Sequence, residues 1–330
     1  MNTSYEWLAQ HTTKESLSLE RLATGLSAYR IIEVSGPDSV KFLQGQLTCD
    51  IKQLALKGHL QGSHCNIKGH MVSVFRLFYR NEEQIWLRVH HEIAQLAFDT
   101  LKKYSIFSKV KLSFLDDISG VALGSDTVKA LGEALNFKAF ESSDISQSDT
   151  GVLARYDDQL FELWTEDSNL ASTLESSLSS GPIEATSDDL WLLANIERAI
   201  PDIRATTAEH FIPQMTNMQA IAGVSFNKGC YTGQEIVTRL QHRGILKKAM
   251  YRFATSASAP NPGDALIDAE GKTVGEVVIS ANSTSGSKFL AVVQQSQVVA
   301  GTELTLPNGE AVTNEGLPYE LDPRMFESKR

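Results

Sequence analysis

The pattern of apolar residues changes near Met250, and this change limits the folds that the chain can adopt. After that point, short runs with the alternation of a β-strand are separated by clusters of Pro, Asn and Gly. Several short strands with turn residues between them are typical of a small barrel or sandwich. The predicted strands are 250–253, 274–279, 289–293 and 302–306. The sequence therefore predicts a separate all-β unit after Met250.

Earlier in the chain, strand and helix patterns are mixed. Two apolar runs, 71–78 and 85–89, flank a polar turn at 81–83 and predict a β-hairpin. A further strand is predicted at 29–34. Helical spacing of apolar residues is found in the runs 39–47, 91–104 and 187–200. This mixture favours an α+β architecture over a doubly wound parallel sheet.

The charge balance and the cysteine count exclude several classes of protein. The 330 residues include 30 Lys and Arg against 40 Asp and Glu, a formal net charge of −10 at pH 7. This charge opposes non-specific coating of nucleic acid, which depends on basic contacts to phosphates. Three cysteines are too few for a disulfide framework. No uncharged apolar stretch reaches the ~18–20 residues of a membrane helix, and the first residues lack the apolar block of a secretory signal. We therefore expect a reduced, cytoplasmic protein that does not contact a membrane.

Residues 228–235, with the sequence KGCYTGQE, form the most distinctive segment of the chain. Gly229 and Gly233 on either side of Cys230 indicate a turn. Such a turn can present a thiol, and Lys228 two residues away would favour its thiolate form. The alternative is a buried cysteine in a tight turn, since free cysteines usually behave as small apolar residues. The spacing alone favours this second interpretation.

The helix predicted at 187–200 carries a carboxylate on its apolar stripe. The stripe consists of Leu190, Leu193, Ala194 and Glu197. A carboxylate that faces the core costs several kcal/mol unless it is paired or hydrogen-bonded. The partner of Glu197 could be Arg198 or Arg204, or a ligand that offers two parallel N–H donors. The residue pattern alone favours the internal ion pair.

Other candidate residues carry weaker signals. Tyr29 and Trp191, taken singly, are better explained as core residues than as platforms for a ligand. His64 and Cys65 point to opposite sides of a strand and supply no tetrahedral set, so no metal site is predicted. Four basic residues could contact RNA phosphates, although a charged run is usually a solvated face. They are Lys102, Lys103, Arg239 and Arg243.

The octapeptide at 228–235 resembles the signature of the YgfZ family of folate-binding proteins. This family is related to the glycine-cleavage T-protein, an aminomethyltransferase. The resemblance covers nearly the whole chain. The other matching segments are 45–48 with Asp50, 64–69, 102–110, 191–197, 211–214 and 217–220.

The resemblance implies a T-protein-like cloverleaf of three domains. Two α+β lobes and a C-terminal β-barrel would surround a central folate-binding hole. The implied first lobe is discontinuous and comprises residues 1–50 and 113–225. The implied second lobe, which carries the KGCYTGQE loop, comprises residues 51–112 and 226–245, and the barrel comprises residues 246–330.

The resemblance also implies the residues that bind the cofactor, which would be tetrahydrofolate or a derivative. Tyr29 and Trp191 fall where the family places aromatic rings against folate. Glu197 matches the carboxylate that the T-protein uses on the pterin edge, where a planar acid meets a planar pair of donors. Two positions depart from the pattern, because relatives often have Gly at Ala199 and Trp at Tyr29.

Cys230 is implied to be the functional thiol, with Lys228 beside it to favour the thiolate. The residues implied to hold this loop are Gly229, Tyr231, Gly233, Gln234 and Glu235. Of the two other cysteines, Cys49 is expected to be structural and Cys65 is left open.

The resemblance predicts no aminomethyltransferase activity. T-proteins carry an acidic pair after their Gly-Gly turn, and aligning that turn on Gly69 and His70 places Ser73 and Val74 at the acidic positions. Neither side chain can stabilise a developing iminium ion.

The implied function is that of a folate-binding accessory protein. It would support the assembly or repair of iron–sulfur clusters, with a transient contact between Cys230 and a cluster. Its partners would be cluster assembly proteins and iron–sulfur enzymes such as those that thiolate tRNA, so tRNA would be affected indirectly. The alternatives are a folate-dependent one-carbon transferase or demethylase, and a module that binds tRNA directly.

Overall fold

The computed structural model describes residues 18–132, 137, 143–167, 173, 174, 176, 184, 185 and 187–327. The strands are β1 Leu22–Gly25, β2 Tyr29–Ser35, β3 His59–Cys65, β4 Met71–Asn81, β5 Gln84–His90, β6 Lys111–Leu115, β7 Ser119–Gly124, β8 Ile145–Gln147, β9 Gly151–Arg155, β10 Leu160–Thr165, β11 Glu184–Ala185, β12 Lys248–Thr255, β13 Ala265–Ile267, β14 Thr273–Ser283, β15 Gly286–Gln294, β16 Leu304–Thr305 and β17 Ala311–Gly316. The α-helices are α1 Ser39–Gln44, α2 Leu54–Lys57, α3 His91–Ser105, α4 Ser125–Leu131, α5 Asp188–Glu197, α6 Gln234–Arg243 and α7 Gln295–Ala300. No helix among these residues is long and apolar enough to cross a membrane.

The first lobe is built on a six-stranded sheet in the order β11-β1-β7-β10-β9-β8. Its pairs are antiparallel except for the short parallel contact between β1 and β11. Every residue of β7 and β10 is buried, as expected for strands in the middle of a sheet that is covered on both faces. A Cβ at Gly120 of β7 would lie 2.5 Å from the Trp164 ring, so this glycine makes room for the indole.

The second lobe contains an antiparallel sheet in the order β3-β4-β5-β2-β6. The predicted hairpin is confirmed as β4 and β5, whose turn is closed by a 3.0 Å hydrogen bond from the Glu83 backbone N–H to the Asn81 side chain. Helix α3 packs against this sheet through Ile93, Ala94, Ala97 and Leu101, which confirms the predicted helical run. The two α+β sheets and the antiparallel pairing agree with the predicted architecture.

Strand β2 belongs to the second lobe, although the implied boundary at residue 50 placed it in the first. It pairs along its whole length with β5, from Tyr29 opposite His90 to Ser35 opposite Gln84. Its other edge pairs with β6. β2 thus lies between β5 and β6 in the sheet of the second lobe. The chain therefore enters the second lobe directly after β1.

The segment after Met250 forms the predicted barrel, which is closed in the order β12-β15-β14-β13-β16-β17. The four predicted strands correspond to β12, β14, β15 and β16. The stacked rings of Phe253 and Phe289, 5.6 Å apart, lie in its core. Closure removes the free sheet edges that short strands would otherwise expose.

Two predicted helices are shorter than their apolar spacing indicated. The run 39–47 is helical only over α1, and the run 187–200 only over α5. Ser187 stands at the N-cap position of α5, but its side chain makes no capping hydrogen bond. Beyond α5, Ala199 has a φ of 47°, a left-handed conformation that glycine adopts more readily.

A buried carboxylate joins the two lobes. Glu162 of β10 is fully buried and lies 3.3 Å from the guanidinium of Arg88 on β5. It also accepts hydrogen bonds from the Tyr156 hydroxyl and, at 2.6 Å, from the Trp164 indole N–H. Burial opposes the charge on Arg88, but Glu162 together with Tyr156, Tyr29 and Asp202 outweighs this effect and raises the pKa of the guanidinium. Arg88 in turn lies 4.2 Å above the Tyr29 ring.

The substitution Glu162→Leu should lower the free energy of unfolding by about 3–5 kcal/mol, because Arg88 then keeps a buried charge without its partner. The control Asp126→Ala breaks an exposed 3.2 Å ion pair with Lys129 and should cost at most about 1 kcal/mol. Urea denaturation followed by circular dichroism measures both values. Similar costs for the two variants would contradict the role of Glu162 at the junction.

Candidate functional site

A cavity of about 240 Å³ lies where the two lobes meet the barrel, and we call it the central cavity. Tyr29 comes from β2 and Trp191 from α5, so the structure brings these two predicted residues to one site. The barrel contributes Pro262, Ile279 and Ser280 to the wall. Aromatic and aliphatic walls with a few polar groups are typical of sites for small organic ligands.

Arg88 holds the two aromatic residues of the central cavity together. Its guanidinium carbon lies 4.2 Å from the ring centre of Tyr29 and 5.9 Å from that of Trp191. The Tyr29 side chain is 8% exposed and that of Trp191 is 1% exposed, so their rings shape the wall while remaining packed. Cation–π contacts of this kind restrict ring orientation in a desolvated site.

Asp188 is the carboxylate that lines the central cavity on α5, and the sequence analysis did not select it. The Thr24 hydroxyl donates a 3.3 Å hydrogen bond to it, and burial raises the pKa of the Asp188 carboxyl. Its position one turn before Trp191 places both residues on the same face of α5. The spacing of Asp188 and Trp191 was the sequence signal that could have identified Asp188. It was not used, because an acid in the first turn of a helix is already explained by its interaction with the helix dipole.

Polar groups at the edge of the central cavity are paired with each other. Arg204 forms a 2.8 Å ion pair with Asp202, and His90 lies beside them. Burial lowers the pKa of His90 to about 4, which keeps the imidazole neutral near pH 7. Glu92, whose carboxylate lies 3.9 Å from the His90 Nδ1 atom, also lines the cavity on this side.

Glu197 does not occupy the position that the sequence indicated. Its carboxylate pairs with Arg252 of β12 and, at 2.5 Å, with Lys288 of β15. The predicted partners are engaged elsewhere, Arg198 with Asp157 at 2.6 Å and Arg204 with Asp202. The Glu197 side chain is 41% exposed and does not line the central cavity. It ties α5 to the barrel, a contact that residues near it in sequence could not reveal.

A second cavity of about 270 Å³ lies on the other side of Trp191, and we call it the distal cavity. Tyr156, which lines it, meets the Trp191 ring edge-on at a centroid distance of 5.5 Å. The distal cavity also contains Arg76 and His59. Burial lowers the pKa of His59 to about 3, and its Nε2 bonds the carbonyl of Arg155 at 2.7 Å. The contact between Trp191 and Tyr156 therefore lies between the two cavities.

The KGCYTGQE loop runs into helix α6 on a different part of the molecule and packs on residues 45–49. The Thr232 backbone N–H donates a 3.2 Å hydrogen bond to the carbonyl of Gly45. The Lys228 ammonium donates to the carbonyls of Leu47 and Cys49 at 2.6 and 2.7 Å. Residues 45–49 and 228–235, two of the segments that carry the family resemblance, are therefore in contact although they are far apart in the sequence.

The three cysteines differ in exposure. Cys230 is exposed, whereas Cys49 and Cys65 are buried. Burial raises the pKa of both buried thiols to about 12, so they remain protonated at neutral pH. A Cβ at Gly62 would lie 2.5 Å from the Cys49 sulfur, which shows how tightly this cysteine is packed. Only the Cys230 thiol among them is accessible to a partner or reagent.

Lys228 is directed inward and not toward Cys230. Its carbonyl contacts and its position 5.2 Å above the Tyr231 ring fix the loop on the segment beneath. Burial lowers the pKa of the Lys228 ammonium to about 8, and a weaker interaction with Cys49 opposes this shift. Lys228 therefore anchors the loop, and its expected effect on the Cys230 thiol stays a prediction.

The two glycines of the loop have different roles. Gly233 has a φ of 82°, and a Cβ there would lie 2.5 Å from the Asn66 carbonyl oxygen and 2.9 Å from the Cys65 Cβ. A Cβ at Gly229 would meet no atom within 4 Å. Gln234 and Glu235 form the first turn of α6. Gly233 thus closes the loop, and Gly229 leaves the neighbouring Cys230 uncovered.

Ser73 and Val74 are buried on β4, and neither supplies an acid. The Ser73 hydroxyl has no hydrogen-bond partner among the described residues. Lys102, Lys103 and Arg239 are exposed. The Arg243 side chain, the fourth of the predicted basic positions, lies outside what the structure describes.

The cavities and the thiol loop are separate sites. No described residue of the loop 228–235 lines either cavity. The structure therefore has a cavity suited to a small organic ligand in one place and an exposed thiol in another.

Comparison with solved structures defines the class of fold. The chain is similar to the glycine cleavage system aminomethyltransferase T from Bartonella henselae, with a TM-score of 0.66 and 19% sequence identity over 95% of this chain and 96% of that one. The structure therefore has the aminomethyltransferase T fold, which confirms the predicted fold class. No family model matches the chain.

Curated relatives define the family. The protein from Photobacterium profundum called tRNA-modifying protein YgfZ is 35% identical over 91% of this chain and 92% of its own length. The proteins of the same name from Aliivibrio fischeri and Yersinia pseudotuberculosis are 38% and 34% identical over 81% and 90% of this chain, and over 82% and 92% of their own lengths. The chain belongs to the YgfZ family, as its motifs predicted.

The substitution Gly233→Ala should destabilise the protein by about 1–3 kcal/mol, because it adds a side chain to a left-handed residue against the Asn66 carbonyl. Gly229→Ala is the matched control in the same loop and should change stability by no more than about 0.5 kcal/mol. Thermal unfolding of the two variants gives the comparison. An equal loss for both would mean that the loop is not held as described.

Proposed function

We propose that this protein is a cytoplasmic, tetrahydrofolate-binding accessory factor that supports the assembly or repair of iron–sulfur clusters and thereby tRNA modification. The observation that carries this proposal is the central cavity, in which Tyr29, Trp191 and Asp188 converge within an aminomethyltransferase T fold. The name of the relatives, tRNA-modifying protein, supports the link to tRNA.

The residues of the central cavity fit the pterin ring of a folate. Tyr29 and Trp191 offer aromatic surface to a flat heterocycle. The Asp188 carboxylate can accept two parallel N–H donors, the role that the resemblance had assigned to Glu197. Bound tetrahydrofolate would supply one-carbon chemistry, as a carrier at its ring nitrogens.

The proposal does not include aminomethyl transfer. The positions implied for the acidic pair are Ser73 and Val74, which cannot balance a positive charge that develops on a transferred group. A one-carbon transferase or demethylase would need another acid close to the ring nitrogens. This alternative therefore has less support than a ligand-binding role for folate.

The exposed Cys230 supports a role in iron–sulfur maintenance, since cysteine thiolates are the ligands of such clusters. The uncovered thiol can reach a cluster held by a partner protein, which a buried cysteine could not. Because the loop is separate from the cavities, we propose that folate acts as a structural or regulatory ligand while Cys230 contacts the client. The clients would be cluster assembly proteins and tRNA-thiolating enzymes.

Direct binding of tRNA is the rival proposal. It would depend on Lys102 and Lys103, which are exposed near the 94% exposed Phe107. Basic residues beside an aromatic ring can bind single-stranded bases. The net charge of −10 opposes this proposal, because the rest of the surface would repel the phosphates.

The substitutions Trp191→Leu and Asp188→Asn should each weaken tetrahydrofolate binding by about tenfold or more, since one removes ring contact and the other an acceptor for the pterin. Glu197→Gln is the control and should leave the affinity within about threefold, because its contacts are to the barrel. Isothermal titration calorimetry on the full chain measures the constants. Loss of binding only in the Glu197 variant would return the pterin contact to that residue.

The substitution Cys230→Ser should abolish complementation of a strain that lacks its own copy, with thiolated tRNA nucleosides measured by mass spectrometry. The physical reason is that a hydroxyl is a poor ligand and nucleophile compared with a thiolate. Folate affinity should not change. Cys49→Ala is the control and should retain thiolation if the variant folds. A fully active serine variant would remove the thiol from the proposal.

A further inference from the structure

The distal cavity contains a buried positive charge that the proposed function does not use. Arg76 of β4 is 7% exposed and lines this cavity. Its Nε atom has no hydrogen-bond partner, and the guanidinium forms no ion pair with any residue that the structure describes. The guanidinium lies 3.5 Å from the centre of the Tyr156 ring. It therefore lines the distal cavity without a paired carboxylate among the described residues.

Other arginines around the two cavities are paired with carboxylates. Arg88 has Glu162, Arg204 has Asp202 and Arg198 has Asp157, at 3.3, 2.8 and 2.6 Å. The contrast with Arg76 is therefore local, and it does not reflect a general lack of acids in this part of the chain.

The buried charges near Arg76 do not cancel. Glu162 is a buried carboxylate that attracts Arg76, but it is already bonded to Arg88, Tyr156 and Trp164. Asp144 also attracts Arg76, but it is paired with Arg155 at 2.7 Å. Burial is the main influence on Arg76 and lowers the pKa of its guanidinium. An anion in the distal cavity would give Arg76 a partner of its own.

The surroundings of Arg76 admit an anion from outside. Lys57, which is exposed, and Arg198 line the same cavity of about 270 Å³. Arg76 follows Val74 by two residues on β4 and so lies on the same face of the strand. The alignment with T-proteins places an acidic pair, which would interact with a cationic group, at Ser73 and Val74. This face of β4 carries the cation Arg76 instead, which would interact with an anionic group.

We propose that the distal cavity is an oxyanion site in which Arg76 binds a carboxylate or phosphate group. The guanidinium offers a planar pair of donors that matches such groups. One source is the glutamyl carboxylate of a bound folate, and in this case the inference rests on the proposed function. The other source is a free oxyanion, which requires no folate.

The test uses the full chain with four probes: tetrahydropteroate, which lacks glutamate, tetrahydrofolate, its triglutamate, and inorganic phosphate. If the anion belongs to folate, the glutamyl compounds should bind about tenfold or more tightly than tetrahydropteroate, and Arg76→Met should remove that difference. If it is a free oxyanion, phosphate should raise the thermal unfolding temperature above that in chloride at equal ionic strength, and Arg76→Met should remove the shift.

Arg324→Met is the control, because Arg324 is 81% exposed and paired with Asp322. It should leave both effects intact. Without ligand, Arg76→Met should unfold at the same temperature as the wild type or a higher one, since it removes an unpaired buried charge.

The wild-type protein alone can overturn the proposal, so a variant that fails to fold does not protect it. If neither phosphate nor the glutamyl group adds stability or affinity, the distal cavity is not an oxyanion site. A protein that binds no folate but is stabilised by phosphate through Arg76 would disprove the proposed cofactor while supporting this site. Glutamyl-dependent binding that persists in Arg76→Met would assign the anion to other residues.

Discussion

The buried carboxylate of Glu162 is the contact on which the arrangement of the two lobes depends. It comes from the six-stranded sheet and meets Arg88 of the five-stranded sheet without access to solvent. Arg88 in turn lies above Tyr29 and near Trp191, so the ion pair that joins the lobes also orients the rings of the central cavity. Removing either charge would leave the other buried and unpaired, which explains why this junction is sensitive to single changes.

The molecule separates the central cavity from the exposed thiol. The central cavity lies between the lobes and the barrel, whereas the Cys230 loop is anchored on residues 45–49 by the Lys228 ammonium. Gly233 allows this loop to approach the Asn66 carbonyl closely, and the thiol remains on the surface. A ligand in the central cavity could therefore influence the thiol only through the fold between them. Under the proposed function, this separation suits a protein whose cofactor regulates or stabilises and whose thiol acts on a partner.

The sequence predicted local structure better than it predicted the site. The hairpin of β4 and β5 and the barrel strands follow from alternation and turn residues, which act over a few positions. The stripe that included Glu197 was misleading because α5 has buried neighbours on several sides and ends near that residue. The partners of Glu197 lie 55 and 91 residues away, on strands of the barrel. Proximity in sequence favoured Arg198 and Arg204 as partners of Glu197. In the structure, Arg198 pairs with Asp157 and Arg204 pairs with Asp202.

The sequence by itself determined the family, the α+β class and the motif that contains the accessible thiol, because these depend on residue types at fixed local spacing. Only the tertiary structure decided that Asp188 lines the central cavity, that Lys228 points inward, and that Arg76 is buried without a paired carboxylate. The pairs that decide these points are far apart in the chain, such as Arg88 with Glu162, separated by 74 residues, and Lys228 with Cys49, separated by 179. The energy of a charge depends on the partners and the solvent around it, and folding sets both.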